Sequence, residues 1–109
     1  MEDHEETMVV STELRGHQAV IVLEGELDLH TGLLLTDAVE RAITEGATSL
    51  DIDAARLTFA DSSGLCALVA CRRTARRAGA DIRVTHASAP LDRVLEMTGL
   101  RRVFVPLDA

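Results

Sequence analysis

The fold is decided by residues 49–69, which read SLDIDAARLTFADSSGLCALV. Apolar and polar side chains alternate over 49–53, which is typical of a β-strand. A short apolar segment, 57–59, then leads into Asp61-Ser62-Ser63-Gly64. From residue 65 onward the apolar side chains recur at helical spacing. The stretch therefore predicts a strand, a loop rich in hydroxyl groups and a helix that starts directly after the loop.

The flanking segments continue the alternation of strands and helices. Gly25 is predicted to end the second strand, and Gly46 and Gly79 to end the first two helices. In the first half of the chain we predict strands over 8–12 and 19–23, joined by a hairpin turn at 15–18, and then a helix over 31–45. The strand over 49–53 and the helix after the loop follow. The last predicted elements are a strand over 82–84, a short helix over 91–97 capped by Ser88, and an edge strand over 103–105. We therefore predict an α/β protein, a single domain in which helices pack on a mixed β-sheet of about four to five strands.

Size, composition and charge narrow the class of protein further. The chain has 109 residues, 47% hydrophobic and only 2% aromatic, so we expect one aliphatic core. Its formal net charge of -7 disfavours nucleic acid and anionic membranes as direct partners. Residues 1–7 are expected to be a disordered acidic tail without a signal peptide. No apolar run approaches the ~20 residues of a membrane span, so we expect a cytoplasmic protein.

The two serines of the loop are the candidates for chemistry. The first turn of a helix has unpaired N–H groups and a partial positive charge, so a phosphate on a serine there would be well accommodated. A serine at this position is also a favoured N-cap, and Asp61-Ser62-Ser63-Gly64 alone is compatible with ordinary capping.

Two motifs together resemble a known family. Gly25-Glu26-Leu27-Asp28 is similar to the turn after the second strand, and Phe59-Ala60-Asp61-Ser62-Ser63-Gly64-Leu65 to the phosphorylation loop, of the STAS domain of anti-sigma-factor antagonists. The resemblance covers residues 8–107. Cys66 departs from the pattern, since glycine often follows the Gly-Leu pair in the family.

The resemblance implies a protein that switches between partners and is not an enzyme. The unphosphorylated form would bind an anti-sigma factor that is also a serine kinase, and would thereby release a sigma factor. The kinase would phosphorylate Ser62 with its own ATP and magnesium, so the protein itself needs no cofactor, and a serine phosphatase would reverse the reaction. Asp28, Asp61, Ser63 and Gly64 would lie with Ser62 on the partner-binding surface. Nothing in the local pattern requires a carboxylate at Asp28 for folding.

Other interpretations of the same residues stay open. A STAS subunit of a larger complex, such as a lipid-transport ATPase or a stress-sensing assembly, would use the same fold without phosphorylation. An intact Asp61-Ser62-Ser63-Gly64 favours the phosphorylated antagonist, because a purely structural subunit needs no acceptor hydroxyl. A hydrolase with His30 or His86 as the base for Ser62 is disfavoured, because the Gly-x-Ser-x-Gly elbow is missing.

The remaining polar clusters have simpler explanations. Asp51/Asp53 and Glu24/Glu26 are carboxylate pairs at strand spacing, and we expect a solvated face or strand end rather than a metal site. Cys66 and Cys71 are expected to be small core or helix residues, since no zinc spacing is present. The four arginines at 72, 73, 76 and 77 suit the negative end of a helix dipole, with an acidic partner or phosphate as the alternative.

Overall fold

The computed structural model describes residues 8–106, so the predicted tail at 1–7 and the predicted domain end at 107 lie outside the described residues. These residues form one mixed four-stranded sheet with helices packed on it, which confirms the α/β prediction. The elements are β1 (Met8–Arg15), β2 (Gln18–Leu27), α1 (Gly32–Thr44), β3 (Ser49–Ala60), α2 (Ser62–Arg77), β4 (Asp81–Ala87), α3 (Ala89–Met97) and α4 (Arg101–Phe104).

The strands lie in the order β1-β2-β3-β4. β1 and β2 form an antiparallel hairpin, whereas β2, β3 and β4 are parallel to one another. Parallel neighbours need a crossover connection, and α1 and α2 supply the two crossovers. The carboxyl ends of the parallel strands therefore point toward the same edge of the sheet, and the loops after β2 and β3 meet there.

All four strands run further than predicted, and the extensions of β2 and β3 bear on the site. Gly25 does not end β2, which continues to Leu27, and β3 includes the apolar segment 57–59 and continues to Ala60. Gly25 has φ 121°, a conformation that side chains disfavour, and the pairing of β2 with β3 shifts register beside it. The glycine thus allows an irregularity within the strand instead of terminating it.

The predicted edge strand over 103–105 is wrong. Val103 and Phe104 belong to the short helix α4, and Val105 is its C-cap; the Val103 amide donates to the Leu100 carbonyl at 3.0 Å. Phe104 is 1% exposed and is the one side chain of α4 that is buried. A Val-Phe-Val triplet is compatible with a strand and with a helix, because either one can bury the large central side chain of Phe104 in the core.

The core is aliphatic, as the composition predicts. Buried side chains alternate along β2, and the core continues along β3 and on the inner faces of α1 and α2. The largest fully buried ones are Phe104, Met8, Ile21, Leu23, Leu27, Leu35, Leu50, Ile52, Leu68, Leu91, Leu95 and Val39. No helix within residues 8–106 has both the length and the apolar character to cross a membrane.

Two predictions about polar residues need correction. Asp51 does not lie on a solvated face: it is buried, and its carboxylate accepts from Gln18 Nε2 at 2.7 Å and Arg83 Nε at 2.9 Å. These bonds compensate the carboxylate for its lost water. Ser88 occupies the N-cap position of α3, but its hydroxyl makes no capping hydrogen bond.

Candidate functional site

The loops after β2 and β3 lie side by side. Leu27 is paired with Ala60 at the ends of the two strands, and the Asp61 amide donates to the Leu27 carbonyl at 3.3 Å. The structure therefore brings the turn that contains Asp28 next to the point where β3 passes into α2. This juxtaposition is what the two sequence motifs predict. We call residues 61–64, the N-cap and first turn of α2, the serine loop.

Asp61, not a serine, is the N-cap of α2. Its backbone is extended (φ -123°, ψ -179°), and its carboxylate accepts from the Gly64 amide at 2.8 Å. The Asp61 carbonyl accepts from the Leu65 amide at 3.0 Å, which starts the helical hydrogen-bond pattern. Ordinary capping by Ser62 is therefore the wrong interpretation of the motif, because Asp61 already performs that role.

Ser62 and Ser63 are the first two residues of α2, and both are exposed. Neither hydroxyl makes a hydrogen bond to any other residue between 8 and 106. Each hydroxyl lies at the positive end of a 16-residue helix. The two side chains are thus accessible, have no structural partner and occupy a position that favours a negative group.

Gly64 allows α2 to start close to β2. A Cβ atom at this buried position would lie 2.5 Å from the Leu27 carbonyl oxygen and 2.8 Å from the Leu27 carbonyl carbon. Only glycine permits this approach without a backbone shift. Packing therefore accounts for Gly64, and its contact with a partner stays a prediction.

The turn after β2 is held by Asp28 and Thr31. The Asp28 carboxylate accepts from the Thr31 amide at 2.9 Å, and the Asp28 amide donates to Thr31 Oγ1 at 2.9 Å. The buried Thr31 hydroxyl donates to the Glu26 carbonyl at 2.7 Å. Contrary to the sequence-based expectation, the Asp28 carboxylate thus has a local role in folding.

These bonds also perturb the titration of Asp28. The hydrogen bond from the Thr31 amide is the main cause that lowers the pKa of Asp28 below its usual value, and the Thr31 hydroxyl and the His30 amide act in the same direction. Partial desolvation opposes them. Asp28 is therefore ionised at neutral pH and places a fixed negative charge beside the serine loop.

Three exposed apolar side chains flank the two loops, and the sequence analysis missed them. Leu29 in the turn is 73% exposed, Leu33 in the first turn of α1 is 68% exposed, and Phe59 near the end of β3 is 44% exposed. We call these three residues the apolar rim. Apolar side chains clustered at a functional edge are typical of protein–protein contacts.

The start of α1 is also close to α2. A Cβ atom on the buried Gly32 would lie 2.7 Å from the Ala67 Cβ, so the two helices are in close contact there. Leu33 follows Gly32 directly, and Ala67 lies in the second turn of the helix that starts at Ser62. This contact brings the start of α1, which carries Leu33, against the second turn of α2.

The histidines and cysteines do not form a catalytic group with Ser62. His86 lies on β4, with its Nδ1 3.9 Å from Asp53, and neither it nor the exposed His30 hydrogen-bonds the serine. Cys66 is exposed one helical turn after Ser62, whereas Cys71 is buried, and burial raises the pKa of Cys71 to about 11. Within the described part of the chain, no three His, Cys, Asp or Glu residues are grouped so that they could hold a metal ion.

Comparisons with known proteins agree with this geometry. The family model described as "Mlab, STAS domain" matches residues 10–106. A curated relative, the anti-sigma F factor antagonist of Paenibacillus polymyxa, is 28% identical over 99 residues, which cover 88% of this chain and 85% of that protein.

Solved structures show the same fold. An anti-sigma factor antagonist from Mycobacterium paratuberculosis has a TM-score of 0.78 at 24% identity, covering 94% of this chain and 89% of that one. The anti-sigma factor antagonist SpoIIAA in its unphosphorylated form has a TM-score of 0.76 at 24% identity, covering 90% of this chain and 86% of that one. The phosphorylated form of SpoIIAA, from Bacillus, has a TM-score of 0.70 at the same identity, covering 90% and 89%. The chain belongs to the STAS-domain family.

Proposed function

We propose that the protein is an anti-sigma factor antagonist. Its unphosphorylated form binds an anti-sigma factor that is also a serine kinase and so releases a sigma factor, and phosphorylation of Ser62 inactivates it. The observation that carries this proposal is the Ser62 hydroxyl, which is exposed at the first position of α2 and is relieved of capping by Asp61. The curated relative and the structural neighbours, which are themselves antagonists of anti-sigma factors, support it.

The site meets the requirements of a kinase substrate. The acceptor hydroxyl must reach the active site of another protein, and Ser62 is exposed and makes no side-chain hydrogen bond within residues 8–106. The amides of the first helical turn favour the phosphate once it is attached. The kinase supplies ATP and magnesium, so the protein holds no cofactor of its own, and a serine phosphatase resets the switch.

The apolar rim and the serine loop together provide the binding surface. Leu29 and Leu33 supply apolar area that a partner can cover, and Ser62, at the start of the adjacent helix α2, adds a small neutral group that is easily desolvated. A phosphoserine adds about -1.5 to -2 charges. Its neighbour Asp61 is tied to the Gly64 amide at 2.8 Å and cannot move away without uncapping the helix. Phosphorylation therefore adds negative charge beside Asp61, at a position where the unphosphorylated form presents a neutral hydroxyl to the partner.

The same proposal separates this protein from the other uses of its fold. A STAS subunit that acts without phosphorylation has no need of an accessible hydroxyl at the start of α2. Sigma factors act in the cytoplasm, and the proposal places the protein there.

Mapping of the phosphate tests the proposal. The protein is incubated with its kinase partner and Mg-ATP, and the products are analysed by mass spectrometry. We expect one phosphate per chain, on Ser62; Ser62→Ala abolishes it, and the adjacent control Ser63→Ala retains it. Phosphate on Ser63 or Thr58 would overturn the assignment of the residue. Tight binding to an anti-sigma factor with no phosphate transferred to any residue would favour the unphosphorylated STAS subunit instead.

A further inference from the structure

Three arginines surround a hollow at the opposite end of the molecule from Ser62. The hollow has a volume of about 270 Å³, and its polar lining consists of Ser49, Arg72, Arg76, Asp81 and Arg83. Ser49 and Asp81 are the first residues of β3 and β4, and Arg76 lies in the last turn of α2. The hollow is therefore separate from the serine loop, which lies where β3 ends and α2 begins.

The lining is positively charged in a strongly acidic protein. Its three guanidinium groups against the carboxylate of Asp81 leave a formal charge of about +2, or about +1 when the Asp51 carboxylate that pairs with Arg83 is counted, although the chain as a whole carries -7. Within residues 8–106, Arg72 and Arg76 form no ion pair or side-chain hydrogen bond, whereas Arg41 pairs with Asp37 at 3.1 Å. Two of the three cations thus have no anionic partner within the described chain.

A helix dipole explains only part of this arrangement. It favours cations in the last turn of α2, where Arg76 and Arg77 lie. It does not explain why Arg83, which comes from β4, faces the same hollow as Arg72. A neighbouring hollow of about 240 Å³ is lined by Arg83 and Arg102, so the positive surface extends toward α4.

One wall of the hollow is held in place. Arg83 Nε donates to Asp51 Oδ1 at 2.9 Å, and Asp51 is in turn fixed by Gln18 Nε2 at 2.7 Å. A guanidinium that is already oriented loses less conformational entropy when it binds a ligand. Arginine also offers paired N–H donors that match the oxygens of a phosphate.

We propose that this hollow binds the phosphate groups of a small phosphorylated molecule. Arg72 and Arg76 provide the unpaired charge, and Arg83 provides a fixed third cation. The volume lies just below the ~300–1,000 Å³ of sites that enclose a whole drug-sized ligand, so the hollow accepts a phosphate or diphosphate group while the rest of the molecule stays outside. The site is independent of the proposed phosphorylation of Ser62.

The chain offers a matched control for a test of this site. Arg73 and Arg77 lie on the same helix and are exposed, but they do not line the hollow. R72Q/R76Q and R73Q/R77Q remove the same charge from the same helix, so they differ only in whether the hollow is altered. Both are titrated with inorganic pyrophosphate at about 0.15 M salt, which screens exposed charges beyond about 8 Å, and binding is followed by amide NMR shifts.

We expect saturable binding to the wild type, with shifts centred on Ser49, Arg72, Arg76 and Asp81 and absent from Ser62. R73Q/R77Q retains the wild-type Kd within about twofold, and R72Q/R76Q weakens binding at least tenfold, while both keep the wild-type melting point. Equal losses in the two variants would show a diffuse charge effect and overturn the proposal. Shifts that do not saturate, or that spread along all of α2, would also overturn it, even if R72Q/R76Q does not fold.

Three further titrations test whether the bound anion must be a phosphate. Inorganic phosphate is expected to bind the same residues more weakly than pyrophosphate, because it offers fewer oxygens to the three guanidinium groups. Citrate and a Glu-rich peptide are also anions, but they carry their negative charge on carboxylates instead of phosphates. Binding of either as tightly as pyrophosphate would contradict a phosphate site and would indicate an acidic partner protein for the peptide, or simple charge attraction for citrate.

Discussion

Removal of the Asp28 carboxylate tests whether the turn after β2 is held by its side-chain hydrogen bonds. In Asp28→Ala, the Thr31 amide loses an acceptor at 2.9 Å, and Thr31 is only 1% exposed, so water replaces that acceptor poorly. Loss of a carboxylate that caps a backbone amide in this way costs about 0.5–2 kcal/mol. We expect Asp28→Ala to lower the free energy of unfolding by about 1–2 kcal/mol.

The matched control is an aspartate in an exposed ion pair. Asp37 contacts Arg41 at 3.1 Å one helical turn away on α1, and such surface pairs contribute about 0.3–0.5 kcal/mol. Urea unfolding followed by circular dichroism should therefore distinguish Asp28→Ala clearly from Asp37→Ala. The melting point of Asp28→Ala should fall by several degrees, since 1 kcal/mol corresponds to about 4–8 °C in a domain of 60–100 residues.

The pH dependence gives this prediction a second and sharper test. The pKa of Asp28 is lower in the folded than in the unfolded chain, where it is near 3.8, so the stabilisation is complete above that value. It is lost as the pH falls below 3.8 and through the folded pKa. The difference in unfolding free energy between wild type and Asp28→Ala should thus be constant from pH 7 to pH 5 and shrink below pH 4.

A stability difference no larger than that of Asp37→Ala would refute the structural role of Asp28. A difference that does not change between pH 7 and the acid end of the folded range would show that the ionised carboxylate is not the stabilising group.

Three further perturbations examine other parts of the site. Gly64→Ala should destabilise the fold by about 1–3 kcal/mol, because its Cβ meets the carbonyl group at the end of β2 at 2.5 Å, whereas the exposed neighbour Ser63→Ala should stay within about 0.5 kcal/mol in the same urea titration. Leu33→Ser should leave the melting point unchanged but weaken calorimetric binding to the anti-sigma factor at least about fivefold, or about 1 kcal/mol; unchanged binding would remove this leucine from the interface. An aromatic disulfide reagent at pH 8 should modify Cys66 in the native protein and Cys71 only after unfolding, because Cys71 is buried and burial raises its pKa to about 11. Two reactive thiols in the native state would contradict the packing of α2.

The architecture was predictable because its signals are local and periodic. The strand and the helix around residues 49–69 follow from alternating and helical apolar spacing, and the structure has both. The predicted loop is reduced to Asp61, because Ser62, Ser63 and Gly64 form the first turn of α2. The limits of the strands were less predictable. Gly25 looks like a terminator in a sequence, but with φ 121° it allows a register shift, and β2 continues beyond it.

The details of the site depend on contacts that no local pattern reveals. Both Asp61 and Ser62 are good N-cap residues, and only the backbone geometry shows that Asp61 takes the role. The Asp28–Thr31 hydrogen bonds require the turn to bring the two side chains together. One member of the apolar rim had a detectable signal: Leu33 is the first of three consecutive leucines, 33–35, and the helical period cannot turn all three toward the core.

The affinity for the anti-sigma factor before and after phosphorylation tests the central proposal most directly. Phosphate at Ser62 is opposed by Asp61 and favoured by the helix dipole, which contributes about 0.3–1 kcal/mol, so the fold should scarcely respond. At the interface the phosphate loses water without gaining a counter-charge, which is costly. Titration calorimetry should show an affinity at least about tenfold lower for the phosphorylated protein, or 1.4 kcal/mol, with an unchanged melting point. Equal affinities of the two forms would contradict the switch, and a collapsed melting point would mean that phosphorylation acts by unfolding the protein.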